Sequence, residues 1–159
     1  MNIVMIKGRT MRISKKSEYA VRAVFELALR ENYKPMKGYE IAAGQVIPER
    51  YLATILVDLR RAGYLCSNRG RDGGYYLARP AGKLTVGDVI RATQGAVFEQ
   101  AQEQMAGWSG RYVTGDYAFE DFWRNVGCAV SEVVHTTSFA ELVEYEKARR
   151  STSVRDYSI

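Results

Sequence analysis

Six residues, Arg69-Gly70-Arg71-Asp72-Gly73-Gly74, constrain the fold more than any other stretch of the chain. On either side lie short aromatic and apolar runs of strand length, residues 64–68 and 75–78. The three glycines supply the backbone freedom that a tight reversal requires, so the segment predicts a β-hairpin with a cationic tip. Just upstream, Leu52, Ile55, Leu56 and Leu59 recur at helical spacing within residues 48–62. Pro48 suits the first helical position and Gly63 the C-terminal cap. That stripe leaves Arg50, Ala53, Thr54, Val57, Asp58 and Arg61 toward the outside.

Earlier still, Val21, Val24, Phe25 and Ala28 recur at i, i+3, i+4 and i+7, which predicts a helix over residues 14–31 with Ser14 or Ser17 as its cap. A short second helix is expected around residues 39–43, followed by a turn at 44–47. Three helices and then a two-stranded hairpin is the order of a winged helix-turn-helix. In that arrangement the third helix enters the major groove of DNA and the hairpin reaches a neighbouring groove. The expected fold class is mainly α with a small two-stranded β-wing, completed by C-terminal dimerisation helices.

The distribution of charge agrees with a polyanionic partner. The formal net charge is +5. Residues 11–80 carry 13 Lys+Arg against 7 Asp+Glu, whereas residues 81–159 carry 8 against 11. A basic first half joined to an acidic second half suggests that the first faces a polyanion and the second does something else. In a chain of 159 residues there is room for one compact module and an arm. No apolar run approaches the roughly 20 residues of a membrane span. The apolar patch Ile3, Val4, Met5 and Ile6 is too short for a signal-peptide core, so a cytoplasmic location away from membranes is expected.

Downstream of the hairpin, residues 85–93 predict a short helix that opens with a capping-box pattern, Thr85 and Asp88, and ends at Gly95. Residues 96–117 show no clean period. Residues 118–136 then carry a wide stripe near heptad spacing, Phe119, Phe122, Trp123, Val126, Ala129, Val130 and Val133. A helix that apolar needs a partner, which makes these seven the candidate dimerisation residues. Ser138 with Glu141 caps a last helix running to about Arg149, and the polar tail 150–159 is expected to fray. The predicted division is an extension at 1–10, a DNA-binding unit at 11–80, a connecting helix with an effector segment at 81–117, the dimerisation and C-terminal helices at 118–149, and a flexible tail at 150–159.

Four segments in register carry a resemblance. They are Met11-Arg12-Ile13-Ser14-Lys15-Lys16-Ser17-Glu18-Tyr19-Ala20, the run from Tyr51 through Leu56 and Leu59 to Leu65, Asn68-Arg69-Gly70-Arg71-Asp72-Gly73-Gly74-Tyr75-Tyr76-Leu77, and Leu84-Thr85-Val86-Gly87-Asp88-Val89-Ile90. Together they resemble the bacterial regulator family that includes IscR, NsrR and CymR. Met11 matches the family's usual start. The resemblance implies a homodimer held by the helix at 118–136, and reading of a double-stranded DNA operator by the third helix and the wing. Arg50, Ala53 and Thr54 match the base-contacting helix positions, and Arg69 and Gly70 match the wing. Ala53 offers no hydrogen bond to a base edge, so the operator sequence does not transfer.

Cluster-binding members of that family carry three closely spaced cysteines where residues 96–117 lie, and this chain has none there. Other members use an early acidic residue, matching Glu18, and a histidine that corresponds to Arg22, which cannot ligate iron. The chain is therefore expected to hold no iron-sulfur cluster, no metal and no other cofactor. Its cysteines are Cys66 and Cys128 and its one histidine is His135. Both thiols are candidate redox switches, against the plainer role of small hydrophobes, which is preferred.

In a winged helix, Ser14, Lys15, Lys16, Tyr19, Tyr51, Arg60, Arg61 and Arg71 join the candidate DNA contacts. Phe98, Trp108, Tyr112, Tyr117 and Phe119 either line an effector pocket for a small molecule or protein, or pack as core. The expected function is a sequence-specific, homodimeric transcription regulator, a repressor first. It is not an enzyme, since no nucleophile-base motif or phosphate loop is present. The rival is a protein-protein interaction module on a winged-helix scaffold.

Overall fold

A computed structural model describes residues 3–6, 9–30, 34–95 and 116–156. The chain starts with an antiparallel hairpin, β1 (Ile3–Ile6) against β2 (Arg9–Arg12), in which Ile3 faces Arg12 and Ile6 faces Arg9. The sequence had offered only an extension at 1–10, because its apolar run is too short to show a period. Helix α1 (Lys15–Ala28) follows, capped by Ser14, whose side chain accepts from the Ser17 backbone N–H. Next come α2 (Gly38–Gln45) and α3 (Glu49–Arg61). Pro48 sits at the N-cap of α3, one position before the place expected for it.

The turn between α2 and α3 is sharp. Val46 adopts a left-handed conformation, φ 52° and ψ 48°, and stands 86% exposed, while its neighbour Ile47 is buried. A β-branched residue there is strained, and the buried Ile47 anchors the turn that imposes it. The stripe read on α3 is the buried one: Leu52, Ile55, Leu56 and Leu59 are all at 2% exposure or less. They pack with Ala20, Val24 and Leu27 of α1 and with Ile41 of α2.

Behind α3, Gly63 takes φ +77° and the chain enters β3 (Leu65–Asn68), which pairs antiparallel with β4 (Gly74–Leu77). Leu65 and Leu77 face each other across the hairpin, and both are buried in the core. A 3₁₀ turn (Ala81–Lys83) leads to α4 (Val86–Gln94), where Thr85 and Asp88 make the reciprocal capping bonds the sequence pattern predicts. The long helix α5 (Asp116–Thr136) packs against α4, and the His135 ring lies directly on Gly87, leaving no room for a side chain there. The last helix, α6 (Phe139–Asp156), begins with the Ser138–Glu141 box and buries Phe139 and Val143. It runs well past Arg149, so the expected fraying tail is helical as far as Asp156.

Candidate nucleic-acid interface

Helix α3 shows its outer row to solvent: Arg50, Ala53, Thr54 and Arg61 are exposed, and Tyr51 is 58% exposed. Val57 and Asp58 of the expected row are half-buried. The Tyr51 ring meets Tyr19 of α1 edge to face, with centroids 6.1 Å apart, so the two helices present one aromatic pair at their junction. Lys15 lies 5.8 Å over the Tyr19 ring.

The first turn of α1 is more internally paired than the sequence reading assumed. The Lys15 ammonium donates to the Glu18 carboxylate at 2.7 Å, and Lys16 pairs with Asp58 of α3 at 2.6 Å. Hydrogen bonding from Lys15 holds the Glu18 carboxyl below its ordinary range, and the same bond raises the Lys15 pKa. Arg22, at 3.6 Å, is a further cation on Glu18. Ser14 and the fully buried Ser17 do a structural task. The Ser14 backbone N–H and the Ser17 hydroxyl both donate to the Gln94 side-chain oxygen, at 2.8 and 2.6 Å, which ties the start of α1 to the end of α4.

In the hairpin, Arg69, Gly70 and Arg71 are exposed at the tip. Gly70 has φ +105° and Gly74 φ +152°, both costly for any side chain. A Cβ on Gly74 would also stand 2.5 Å from the Met36 carbonyl oxygen, because Met36 pairs with Tyr75 in a single antiparallel bridge. Lys37 then donates to the Gly70 carbonyl at 2.9 Å. These two supports, Met36 and Lys37, were not found from the sequence, since neither belongs to a periodic run. At the base of the wing, Arg60 of α3 donates to Ser67 of β3 at 3.3 Å. Arg50, Arg61, Arg69 and Arg71 have no ion pair among the described residues. Arg60 likewise has no carboxylate partner among the described residues, so five arginines stand uncompensated on α3 and the wing tip, while Lys15 and Lys16 are neutralised locally.

Comparison with known proteins accounts for this layout. The family profile described as "Iron-dependent Transcriptional regulator", Rrf2, matches residues 13–145. The chain belongs to the Rrf2 family. An HTH-type regulator of Mycobacterium tuberculosis is 36% identical over 133 residues, covering 83% of this chain and 81% of that one. IscR of Sodalis glossinidius is 33% identical over 138 residues, covering 86% of this chain and 81% of that one. Among solved structures, CymR, the global cysteine regulator of B. subtilis, superposes with a TM-score of 0.70 at 29% identity, over 84% of this chain and 97% of that one. This chain is a DNA-binding transcription regulator of the Rrf2 type, with the winged-helix fold that the element order predicts. No helix of the described residues is long and apolar enough to cross a membrane.

The family description raises iron, and the donor set here does not fit an iron-sulfur cluster, which needs several thiolates, or thiolates with imidazoles, close together. Cys66 is half-buried on β3, opposite Tyr76, and Cys128 is exposed on α5. His135 rests on Gly87 with the Arg91 guanidinium 3.5 Å from its ring nitrogen, and Glu18 is held by Lys15. Among the described residues, no three His, Cys, Asp or Glu side chains gather. The candidate effector segment, 96–117, with Phe98, Trp108, Tyr112 and Tyr117, lies outside the residues whose side chains are described, as do the side chains of Phe119 and Trp123.

On α5 the remaining stripe residues divide. Phe122 is 54% exposed, Val133 61% exposed and Ala129 exposed, whereas Val126 and Val130 are half-buried. Positions 122, 126, 129 and 133 follow one helical line, so an apolar edge runs along the solvent side of α5.

Proposed function

We propose that this Rrf2-family chain is a homodimeric repressor that occupies a two-fold-symmetric operator, the apolar edge of α5 forming the dimer contact. The observation that carries the DNA contacts is the set of exposed arginines without an ion pair among the described residues, Arg50, Arg60 and Arg61 on α3 and Arg69 and Arg71 on the wing. Tyr51, Ala53 and Thr54 complete the row on α3, and a hairpin tip bearing arginine suits insertion into a minor groove. Lys15, Lys16, Tyr19 and Arg60 lie beside that row, each already held by a neighbour, and serve as secondary phosphate contacts. Ser14 and Gly70 set the backbone at the starts of α1 and of the wing tip. The signal acts through 96–117 or the dimer helices, from a small molecule or a protein. The chain catalyses no reaction and works without a cluster, and Cys66 and Cys128 are at most auxiliary thiols.

The test is capture of genomic fragments by the purified full chain, followed by sequencing. Enrichment of a two-fold-symmetric motif is expected, along with a colourless, anaerobically purified protein that lacks stoichiometric iron and sulfide. Failure to retain any duplex would favour a protein-binding module. Visible charge-transfer bands lost on Cys128→Ser would overturn the cluster-free assignment.

A further inference from the structure

The family profile matches from residue 13, so the β1–β2 hairpin precedes the matched stretch. Its charge is unusual. Lys7, Arg9, Arg12, Lys15 and Lys16 are the only charged side chains before Glu18, and they equal the formal net charge of +5. Residues 18–159 consequently carry 18 Lys+Arg against 18 Asp+Glu. The first 17 residues therefore add five uninterrupted positive charges to an already basic first half. Lys15 and Lys16 are bound to Glu18 and Asp58; of the other three cations, Arg9 and Arg12 occupy the two ends of β2, and Lys7 falls between β1 and β2 in the sequence.

Placement adds a second reason. Strand β2 ends at Arg12 and α1 begins at Lys15, with the intervening Ser14 fixed to Gln94 of α4. The hairpin thus springs from the end of α1 that carries Lys15, Lys16 and Tyr19, beside Tyr51 of α3. Four residues of strand rise about 13 Å, comparable with the roughly 12 Å width of a major groove. Arg12 stands at the base of the register opposite Ile3, and Arg9 at the tip opposite Ile6. Positive charge is spread along the arm's length, as following a line of phosphates requires. A two-stranded hairpin of this size is marginal alone and gains from a surface to lie on.

We propose that the β1–β2 hairpin is a basic arm that contacts the phosphates of duplex DNA flanking the segment read by α3 and the wing, a role that rests on the DNA-binding reading above. The contact is electrostatic and independent of sequence, and it widens the footprint beyond the family's common unit.

The experiment compares the full chain with a Lys7→Ala/Arg9→Ala/Arg12→Ala variant and with a charge-keeping Arg9→Lys/Arg12→Lys variant. Each is titrated by fluorescence anisotropy against a captured genomic fragment and an unrelated duplex of equal length, over a salt series. The alanine variant should lose affinity for both duplexes by a similar factor. The slope of log affinity on log salt should flatten by about 0.9 for each phosphate contact removed. The charge-keeping variant should retain most of both. An unchanged slope overturns the arm, as does a loss confined to the captured fragment, or one that sedimentation traces to unfolding or dissociation of the dimer while the charge-keeping variant fails equally. If the unaltered chain binds neither duplex, the DNA-binding reading itself fails.

Discussion

At the scale of single residues, the wing arginine and the turn valine make opposite demands on the fold. Arg69 is exposed and unpaired among the described residues, so Arg69→Ala should leave the melting temperature unchanged. If the side chain makes a good base-edge contact, operator binding should weaken by about 1–3 kcal/mol. An unchanged affinity in an anisotropy titration would remove Arg69 from the interface. Val46 has the reverse profile. With φ 52° and 86% exposure it gives up nothing by losing its methyl groups, and asparagine tolerates that backbone far better. Val46→Asn should raise stability by about 1 kcal/mol in a denaturant melt; a lowered midpoint would mean that the turn is not strained. The Arg-Gly wing tip was legible in the sequence because glycine and arginine announce their roles locally. Val46 was not, since nothing in a valine signals positive φ. Lys16 was only half legible, because its partner Asp58 sits on another helix.

At the scale of elements, α1, α3, α4 and the wing follow the sequence closely, for each carries an apolar period or alternation. Helix α6 departs from it. Beyond Val143 it has no apolar face, and ion pairs one turn apart, Glu144–Lys147 and Glu146–Arg150, support its continuation. Its start depends on Glu141, whose carboxyl lies below the ordinary range because Ser138 donates to it from backbone and hydroxyl. A lowered native pKa gives a contribution that is complete above the unfolded value and disappears as pH falls through the native one. The wild type should therefore lose helix stability below the ordinary carboxylate value of about 4.3, by a component missing in Glu141→Gln. Identical acid profiles in circular dichroism would contradict the capping assignment. Helix α5 carries the other element-level prediction. Charged residues at both Val126 and Val133 should give a monomer with much weaker operator binding, and sedimentation that still reports a dimer would remove this edge as the contact.

Taken as a whole molecule, the protein places its uncompensated arginines on α3 and the wing, and its exposed apolar edge on α5, near the other end of the chain. Two copies joined along α5 would present two equal reading heads, and a symmetric dimer of such heads requires a symmetric operator. In the sequence this link rests on the family resemblance, which implies both homodimer and operator, with the apolar stripe and the imbalance of charge in support. The specificity was not legible, because Ala53 stands where a hydrogen-bonding residue would have pointed to a base. The decisive measurement is a hydroxyl-radical footprint of the full chain on a captured fragment. The account predicts two equivalent protected stretches related by two-fold symmetry, with centres about one helical turn of 10–10.5 bp, or a multiple of it, apart. Protection of a single unsymmetrical stretch, or uniform coverage with no preferred position, would contradict it.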